Sequence, residues 1–248
     1  MSSQTTARSE IDQIPVAKTP ATTPPPRPET WVLKVVQAVT GAIFVLFVLS
    51  HMIGNLKVYA GRESFNKYPL WLKDVGSPVF PSETFLWIMR VVLAVAIVAH
   101  ILTGITLWVR ARRAKGAFAR KPTITQHGVS GRSMIYTGVI LGCYVVFHLL
   151  DLTIGRSAAA TSDFVDGSAY DNLVHSFSRP AVGVFYIVVM ALLFFHLMHG
   201  MWSITNDLGG SSKRVRSVLA FMANLVASLV VLGNLSIPIA VLAGWVTL

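Results

Sequence analysis

The stretch FYIVVMALLFFHLMHGMW, residues 185–202, decides the fold class of this chain. It runs for eighteen residues without Asp, Glu, Lys or Arg, and apolar residues continue it on both sides to 181–205. An α-helix rises about 1.5 Å per residue, so about 20 such residues cross a hydrocarbon layer of about 30 Å. The stretch is therefore typical of a membrane-spanning helix.

Four other segments have the same character, and the composition agrees with them. The chain has 248 residues, of which 53% are hydrophobic and 13% are charged, whereas soluble domains carry about 25% charged residues. We predict an all-α integral membrane protein with five transmembrane helices, of which the first four form a bundle. The predicted spans are 31–56, 84–109, 131–154, 181–205 and 217–246.

The rest of the chain reads as tail and connections. Residues 1–30 are rich in Pro and Thr and are predicted to be a flexible cytoplasmic tail, while 31–248 form the membrane domain. No apolar segment with a cleavage site marks the tail as a secretory signal. Cys143 is the only cysteine, which excludes an internal disulfide and a cysteine-ligated iron–sulfur cluster within this chain.

The basic residues predict the orientation. The net charge is +10, and six basic residues fall between 110 and 121, in the connection between the second and third spans. By the positive-inside rule the N-terminus lies in the cytoplasm and the C-terminus outside. A polybasic nucleic-acid site is the other reading of this charge. Topology explains it better, and we expect no nucleic-acid partner.

Histidines mark the candidate site, since ionisable residues at membrane depth are costly and usually functional. His51, His100, His148 and His196 lie one on each of the first four spans. His51 and His148 lie 20 and 17 residues from the cytoplasmic starts of their spans, toward the outer face. His100 and His196 each lie nine residues from the cytoplasmic ends of theirs. Depth therefore pairs His51 with His148, and His100 with His196.

Two histidines at each of two levels, about 14 Å apart along the membrane normal, predict two bis-histidine haem b groups in a four-helix bundle. Gly54, Gly104 and Gly200 follow three of these histidines by three or four residues. They could admit a porphyrin edge or serve helix packing. Alternatively, the histidines could serve only as hydrogen-bonding partners between helices. A zinc site is not favoured, because the sequence lacks a suitable set of ligands. A proton relay is not favoured either, because Asp151 is the only carboxylate near membrane depth.

An internal repeat accompanies the histidines. His51 and His148 are 97 residues apart, and His100 and His196 are 96 apart. The dipeptide Thr40-Gly41 precedes His51 by the interval at which Thr137-Gly138 precedes His148. Spans one and two are thus predicted to be repeated as spans three and four.

Four stretches of the sequence resemble a known family. They are FVLFVLSHMIGNL (44–56), VAHILTG (98–104), YVVFHLLDL (144–152) and the opening stretch with its HxxxGxW at 196–202. They resemble the cytochrome b558 membrane anchor of succinate dehydrogenase, in its single-chain, five-helix, dihaem form. The likeness runs from about 31 to 246.

This resemblance implies a function and partners. It implies that the two histidine pairs ligate two haem b groups, and that the chain passes electrons from an iron–sulfur subunit to a membrane quinone. A flavoprotein with covalent FAD and the iron–sulfur subunit would dock on the cytoplasmic side, at a bacterial inner membrane. The chain would be a subunit of an enzyme without binding succinate itself.

Three more residues are candidates for contacts with these cofactors. His199 follows the ligand position His196 by one turn and could bond quinone, a propionate or another helix. Arg90 and Arg132 could pair with haem propionates or extend to the membrane interface. A glutamate that some family members carry in the outer part of the second span has no counterpart here, so proton transfer through it is not expected. His127 and Asp151 receive no assigned role.

Two other functions remain open from the sequence. One is the quinone-linked cytochrome b of another respiratory enzyme, such as a fumarate reductase, formate dehydrogenase or hydrogenase. The other is a haem-free membrane anchor or transporter.

Overall fold

The structure, a computed structural model, describes residues 28–115, 126–156, 158–207 and 212–248. This part of the chain is helical with short connections and contains no strand. Residues 1–27 of the predicted tail and part of the basic connection, with Arg120 and Lys121, lie outside the described residues.

Seven α-helices make up the described chain. Their bounds are α1 Thr30–Asn55, α2 Arg62–Asp74, α3 Thr84–Lys115, α4 Gln126–His148, α5 Ala169–Phe177, α6 Pro180–Asp207 and α7 Lys213–Leu242. A 3-10 helix, Leu56–Ala60, extends α1, and a π-helix, Leu149–Ile154, extends α4.

Five stretches of these helices are long and apolar enough to cross a membrane, which confirms the predicted multi-pass fold. They are Thr30–Ala60, Thr84–Ala114, Ser133–Ile154, Pro180–Thr205 and Arg214–Leu242. Large apolar side chains such as Leu46, Val95 and Leu232 point outward from them, as lipid-facing residues do. The last predicted boundary was wrong, because the fifth helix ends at Leu242. The chain then turns at Gly244, which has φ +73°.

The four histidine-bearing spans form a bundle. Helix α1 packs against α3 and α6, and α6 packs against α4, while α3 and α4 meet in a lighter contact. The cyclic order is therefore α3, α1, α6, α4. In this order α1 lies diagonally opposite α4, and α3 lies diagonally opposite α6.

The fifth span packs on the outside of this bundle. Ala223, Ala227 and Val230 are buried at the i, i+4, i+7 spacing of one helix face. Ala227 and Val230 form a core cluster with Leu197 of α6, and side chains of α1 pack against that cluster. The fifth span thus supports α1 and α6 without entering the bundle.

Two short helices that the sequence analysis treated as plain connections cover one end of the bundle. Helices α2 and α5 contact each other there, where Phe65 lies edge-on to Tyr170 and Asn66 Oδ1 accepts from the Tyr170 backbone N–H at 2.9 Å. Their apolar faces join the ends of α6 and α7 in the largest buried cluster. We call this end outer, after the predicted topology, and the opposite end inner.

Paired histidines inside the bundle

The outer pair consists of His51 on α1 and His148 at the end of α4. Their ring centroids are 6.0 Å apart, with the rings nearly perpendicular at 87°. An aromatic ring lies one helical turn before each of them, since Phe47 stacks on His51 at 5.4 Å and Tyr144 lies 5.6 Å from His148. The diagonal arrangement of α1 and α4 therefore brings these two imidazoles close together across the bundle.

The inner pair consists of His100 on α3 and His196 on α6. Their ring centroids are 6.4 Å apart, with 57° between the ring planes. The edge of Phe44 meets the His100 ring at 5.5 Å. The structure thus brings the four histidines together in the two combinations that depth along the helices predicts. Ligation of haem by these pairs remains a prediction.

Each inner histidine contacts a buried threonine on a neighbouring span. Thr40 Oγ1 lies 2.9 Å from His100 Nδ1, and Thr137 Oγ1 lies 3.1 Å from His196 Nδ1. The two threonines are 7% and 5% exposed. Each hydroxyl also donates to a carbonyl of its own helix, so its oxygen is available to accept from the imidazole N–H.

The glycine that follows each threonine lies against the same ring. A Cβ added at Gly41 would be 3.6 Å from His100 Cε1, and one added at Gly138 would be 3.5 Å from His196 Cε1. The sequence repeat that we noted in Thr40-Gly41 and Thr137-Gly138 therefore has a physical meaning. Each dipeptide contacts the ring of an inner histidine on the neighbouring helix.

The glycines that sequence analysis connected with haem behave differently. Gly54 packs closely against the Tyr68 ring of α2, and a Cβ at Gly104 would meet the Gln37 side chain at 3.5 Å. No atom lies within 4 Å of a Cβ added at Gly200. Helix packing therefore accounts for Gly54, and the contact with the histidines belongs to Gly41 and Gly138.

A buried charged network lies beside the outer pair. Asp151, in the π-helical end of the third span, is 1% exposed. Its carboxylate accepts from Arg179 Nη2 at 2.7 Å, from Ser176 Oγ at 2.6 Å and from the Tyr186 hydroxyl at 3.0 Å. The Tyr186 oxygen in turn lies 3.4 Å from His148 Nδ1. The sequence analysis considered Asp151 only for a proton relay and did not single out Arg179.

The structure describes the side chains of two of the other candidate residues, Arg90 and His199, and not that of Arg132. Arg90 is exposed, and its guanidinium stacks on the Trp87 ring at 4.8 Å. His199 is half-buried on α6, one turn beyond His196. Arg132 and His127 belong to α4, but their side chains lie outside the described part of the structure.

Among the described residues, no group of three or more His, Cys, Asp or Glu side chains could hold a metal ion. The arrangement defines a class of protein, namely a multi-pass membrane protein with two pairs of facing imidazoles in a four-helix bundle.

Comparison of the sequence with protein families narrows this class. Residues 128–231 match the family described as succinate dehydrogenase/fumarate reductase transmembrane subunit. The match includes the third and fourth spans with His148 and His196, and it confirms the resemblance to a succinate dehydrogenase membrane anchor at the level of this family. Comparison with curated proteins and with solved structures gave no match.

Proposed function

We propose that this chain is the dihaem cytochrome b anchor of a succinate dehydrogenase, which passes electrons from an iron–sulfur subunit to a membrane quinone. The observation that carries the proposal is the pair of facing imidazoles at each of two levels of the bundle. His51 and His148 would hold one haem b, and His100 and His196 the other. When bound, each haem supplies reversible one-electron oxidation and reduction of its iron.

The spacing of the rings supports this assignment. Imidazole–metal bonds of about 2.0–2.1 Å, as in zinc sites, and a ring radius of about 1.1 Å would put the centroids of two imidazoles that approach one metal from opposite sides about 6.3 Å apart. The outer and inner pairs have centroid distances of 6.0 and 6.4 Å. Each pair therefore needs little movement of its helices to share one metal.

The composition of the ligand set points to porphyrin. Each pair offers two nitrogen ligands, and among the described residues no third His, Cys, Asp or Glu joins them. A structural zinc site needs four protein ligands, whereas the macrocycle of a haem supplies four nitrogens to the iron and leaves few positions for the protein. Two isolated imidazoles therefore suit a bis-histidine haem better than a structural zinc.

The residues of this chain would also set the haem environment. The aromatic rings of Phe44, Phe47 and Tyr144 lie against the histidines. Apolar walls exclude water and lower the local dielectric, which is one of the protein's means of tuning a haem potential. The chain thus contributes ligands, orientation and a dry environment.

The family match and the charge distribution support the proposed partners and orientation. We propose that a flavoprotein with FAD and an iron–sulfur protein dock at the inner end, in the cytoplasm, close to the inner pair. At this end Arg110 binds the Pro28 carbonyl and the Thr30 hydroxyl, both at 2.9 Å. Arg112 and Arg113, near the same end of α3, are exposed. The positive-inside rule supports a cytoplasmic position for this cluster.

The decisive experiment is a reduced-minus-oxidised spectrum with haem quantitation on the purified protein. We expect two low-spin haems per chain, and absence of an α-band would refute the proposal in favour of a haem-free anchor or transporter. Co-purification with a flavoprotein separates a succinate dehydrogenase or fumarate reductase anchor from the cytochrome of a formate dehydrogenase or hydrogenase. Succinate-driven quinone reduction by the intact complex then tests the direction.

Single variants test the pairing. Replacing His51 or His148 with leucine should remove one haem signal, and replacing His100 or His196 should remove the other. The comparison requires protein that still inserts, since a bound cofactor stabilises the folded form. His199→Gln is the control and should retain both signals. Loss of the same haem in the His51 and His100 variants would contradict the pairing while leaving the presence of haem intact.

A further inference from the structure

We infer that Thr40 and Thr137 are positioning residues that hold both inner histidines as the Nδ1–H tautomer and so present Nε2 to iron. The inference rests on the proposed function. It deepens that function by naming residues that act on one haem through its ligands. Thr40 and Thr137 are equivalent positions of the 97-residue repeat, so the same contact occurs twice.

The directions of the threonine hydrogen bonds indicate which imidazole nitrogen carries the proton. Thr40 Oγ1 donates to the Val36 carbonyl at 2.8 Å, and Thr137 Oγ1 donates to the Ser133 carbonyl at 3.1 Å. A hydroxyl has one hydrogen and two lone pairs. With that hydrogen committed to the helix, the threonine oxygen accepts, and the nitrogen that faces it must carry the proton.

Gln37 also contacts the His100 ring. Its side-chain amide lies 3.1 Å from His100 Nε2 and is hydrogen-bonded to Thr103 Oγ1. Thr103 Oγ1 also donates to the Ala99 carbonyl at 2.7 Å, and a hydroxyl has only one hydrogen. The tautomer of His100 is therefore assigned from the Thr40 contact and not from Gln37.

The adjacent glycines fix the position of the ring. The backbone at Gly41 and Gly138 approaches His100 Cε1 and His196 Cε1 so closely that an added Cβ would already be in van der Waals contact. Each inner imidazole is therefore held on one side by a hydroxyl and on another by the backbone of the neighbouring span.

A hydrogen bond that Nδ1–H donates makes the ligating nitrogen more basic, and loss of such outer partners typically changes metal affinity or activity 10–100-fold. A more basic ligand stabilises the ferric form, so loss of the hydroxyl should favour reduction. The outer pair has a different contact, in which Tyr186 lies 3.4 Å from His148 Nδ1. Removing either threonine should therefore act on the inner haem alone.

The test is a redox titration, followed by EPR, of the intact complex carrying Thr40→Val or Thr137→Val. We expect each variant to shift the reduction equilibrium of the same haem about tenfold toward the ferrous form, which is about 59 mV for one electron. This haem should be the one that is missing in the His100 and His196 variants. Thr40→Ser and Thr137→Ser keep the hydroxyl and should restore the original potential.

Thr106→Val is the matched control. Thr106 lies on α3 and donates to the Leu102 carbonyl at 2.7 Å, which is the same type of bond within its own helix. Its replacement should leave both potentials unchanged. Unchanged potentials in both Thr40→Val and Thr137→Val, with two haems bound, would overturn the inference.

A second measurement needs no variant. Pulsed EPR of the unvaried complex reports hydrogen bonding at the remote imidazole nitrogens, and we expect a bonded N–H on both ligands of the inner haem. Remote nitrogens without such a proton would overturn the inference even if the valine variants failed to insert. A complex without haem would refute the proposed function instead, and the optical spectrum recorded first makes the two failures distinguishable.

Discussion

Removal of Arg179 should destabilise the protein more than neutralisation of its partner Asp151. The Asp151 side chain is 0% exposed, whereas that of Arg179 is 34% exposed. Arg179→Met leaves a buried carboxylate with only the hydroxyl donors of Ser176 and Tyr186. Breaking a buried ion pair by removing one partner costs about 3–5 kcal/mol, and we expect the lower end because water reaches the arginine.

Asp151→Asn should be milder. The asparagine retains an acceptor oxygen, and the guanidinium that loses its charged partner can turn toward solvent. A lost hydrogen bond to a charged group costs about 1.5–3 kcal/mol, and we expect the lower part of that range. In the double variant the two losses should not add, because both remove the same interaction, and contacting residues show coupling of about 0.5–3 kcal/mol.

Thermal denaturation of the detergent-solubilised protein measures these differences. For a chain of this size 1 kcal/mol corresponds to about 2–4 °C, so Arg179→Met should lower the midpoint by about 6–12 °C. The Lys67–Glu63 pair provides the control, since its side chains are 71% and 83% exposed. Such pairs contribute about 0–1 kcal/mol, and Lys67→Met should move the midpoint by no more than a few degrees. Equal effects of Arg179→Met and Lys67→Met would refute the reasoning.

Three further predictions concern topology and the two haem levels. In a Cys143→Ser background, Arg113→Cys should react with an impermeant maleimide only from the cytoplasmic side and Lys67→Cys only from outside; the reverse labelling would invert the proposed orientation. Gly138→Leu should reduce the haem content toward one per chain, because the larger side chain displaces the His196 imidazole, whereas Gly138→Ala should keep two haems per chain. Two haems per chain in both variants would contradict the close approach of the Gly138 backbone to the His196 ring. Tyr186→Phe should shift the outer haem by less than tenfold in a redox titration, since a 3.4 Å contact is weak, and a shift of the inner haem would argue against this contact.

The spans and the histidine pairs could be predicted because simple rules determine them. Hydrocarbon thickness sets the length of an apolar helix, and helical rise converts sequence position into depth. That is why the pairing of His51 with His148 and of His100 with His196 was accessible without coordinates. The diagonal order of the four helices was not, since it depends on how their surfaces pack.

The features that sequence analysis missed depend on contacts between distant segments. Helices α2 and α5 are short, and their roles appear only where they pack together over the end of the bundle. The role of Arg179 appears only where the π-helical turn of the third span places Asp151 beside it. Arg90, a candidate for contact with haem propionates, stacks on Trp87 of its own helix. The sequence position of Arg90 is compatible with either interaction and does not decide between them.

The predicted end of the fifth helix was wrong because it was taken from hydropathy. Residues 243–246 are uncharged, so hydropathy alone extends the predicted span over them. The helix stops at Leu242, and the Trp245 and Val246 N–H groups bond back to the Ala240 carbonyl. Gly244, which adopts φ +73°, is the type of residue that ends helices in this way, and hydropathy does not use this signal.

The repeat has a consequence for symmetry. His51 pairs with its own counterpart His148, and His100 pairs with its counterpart His196, so each pair is isologous in the sense used for two-fold dimers. A pseudo-two-fold axis along the membrane normal, which is the relation of parallel repeats, would pass between the rings of both pairs. Two copies of a two-helix unit would suffice to build both levels on that axis. Gln37, whose counterpart is Met134, is a position at which the two halves of this chain differ.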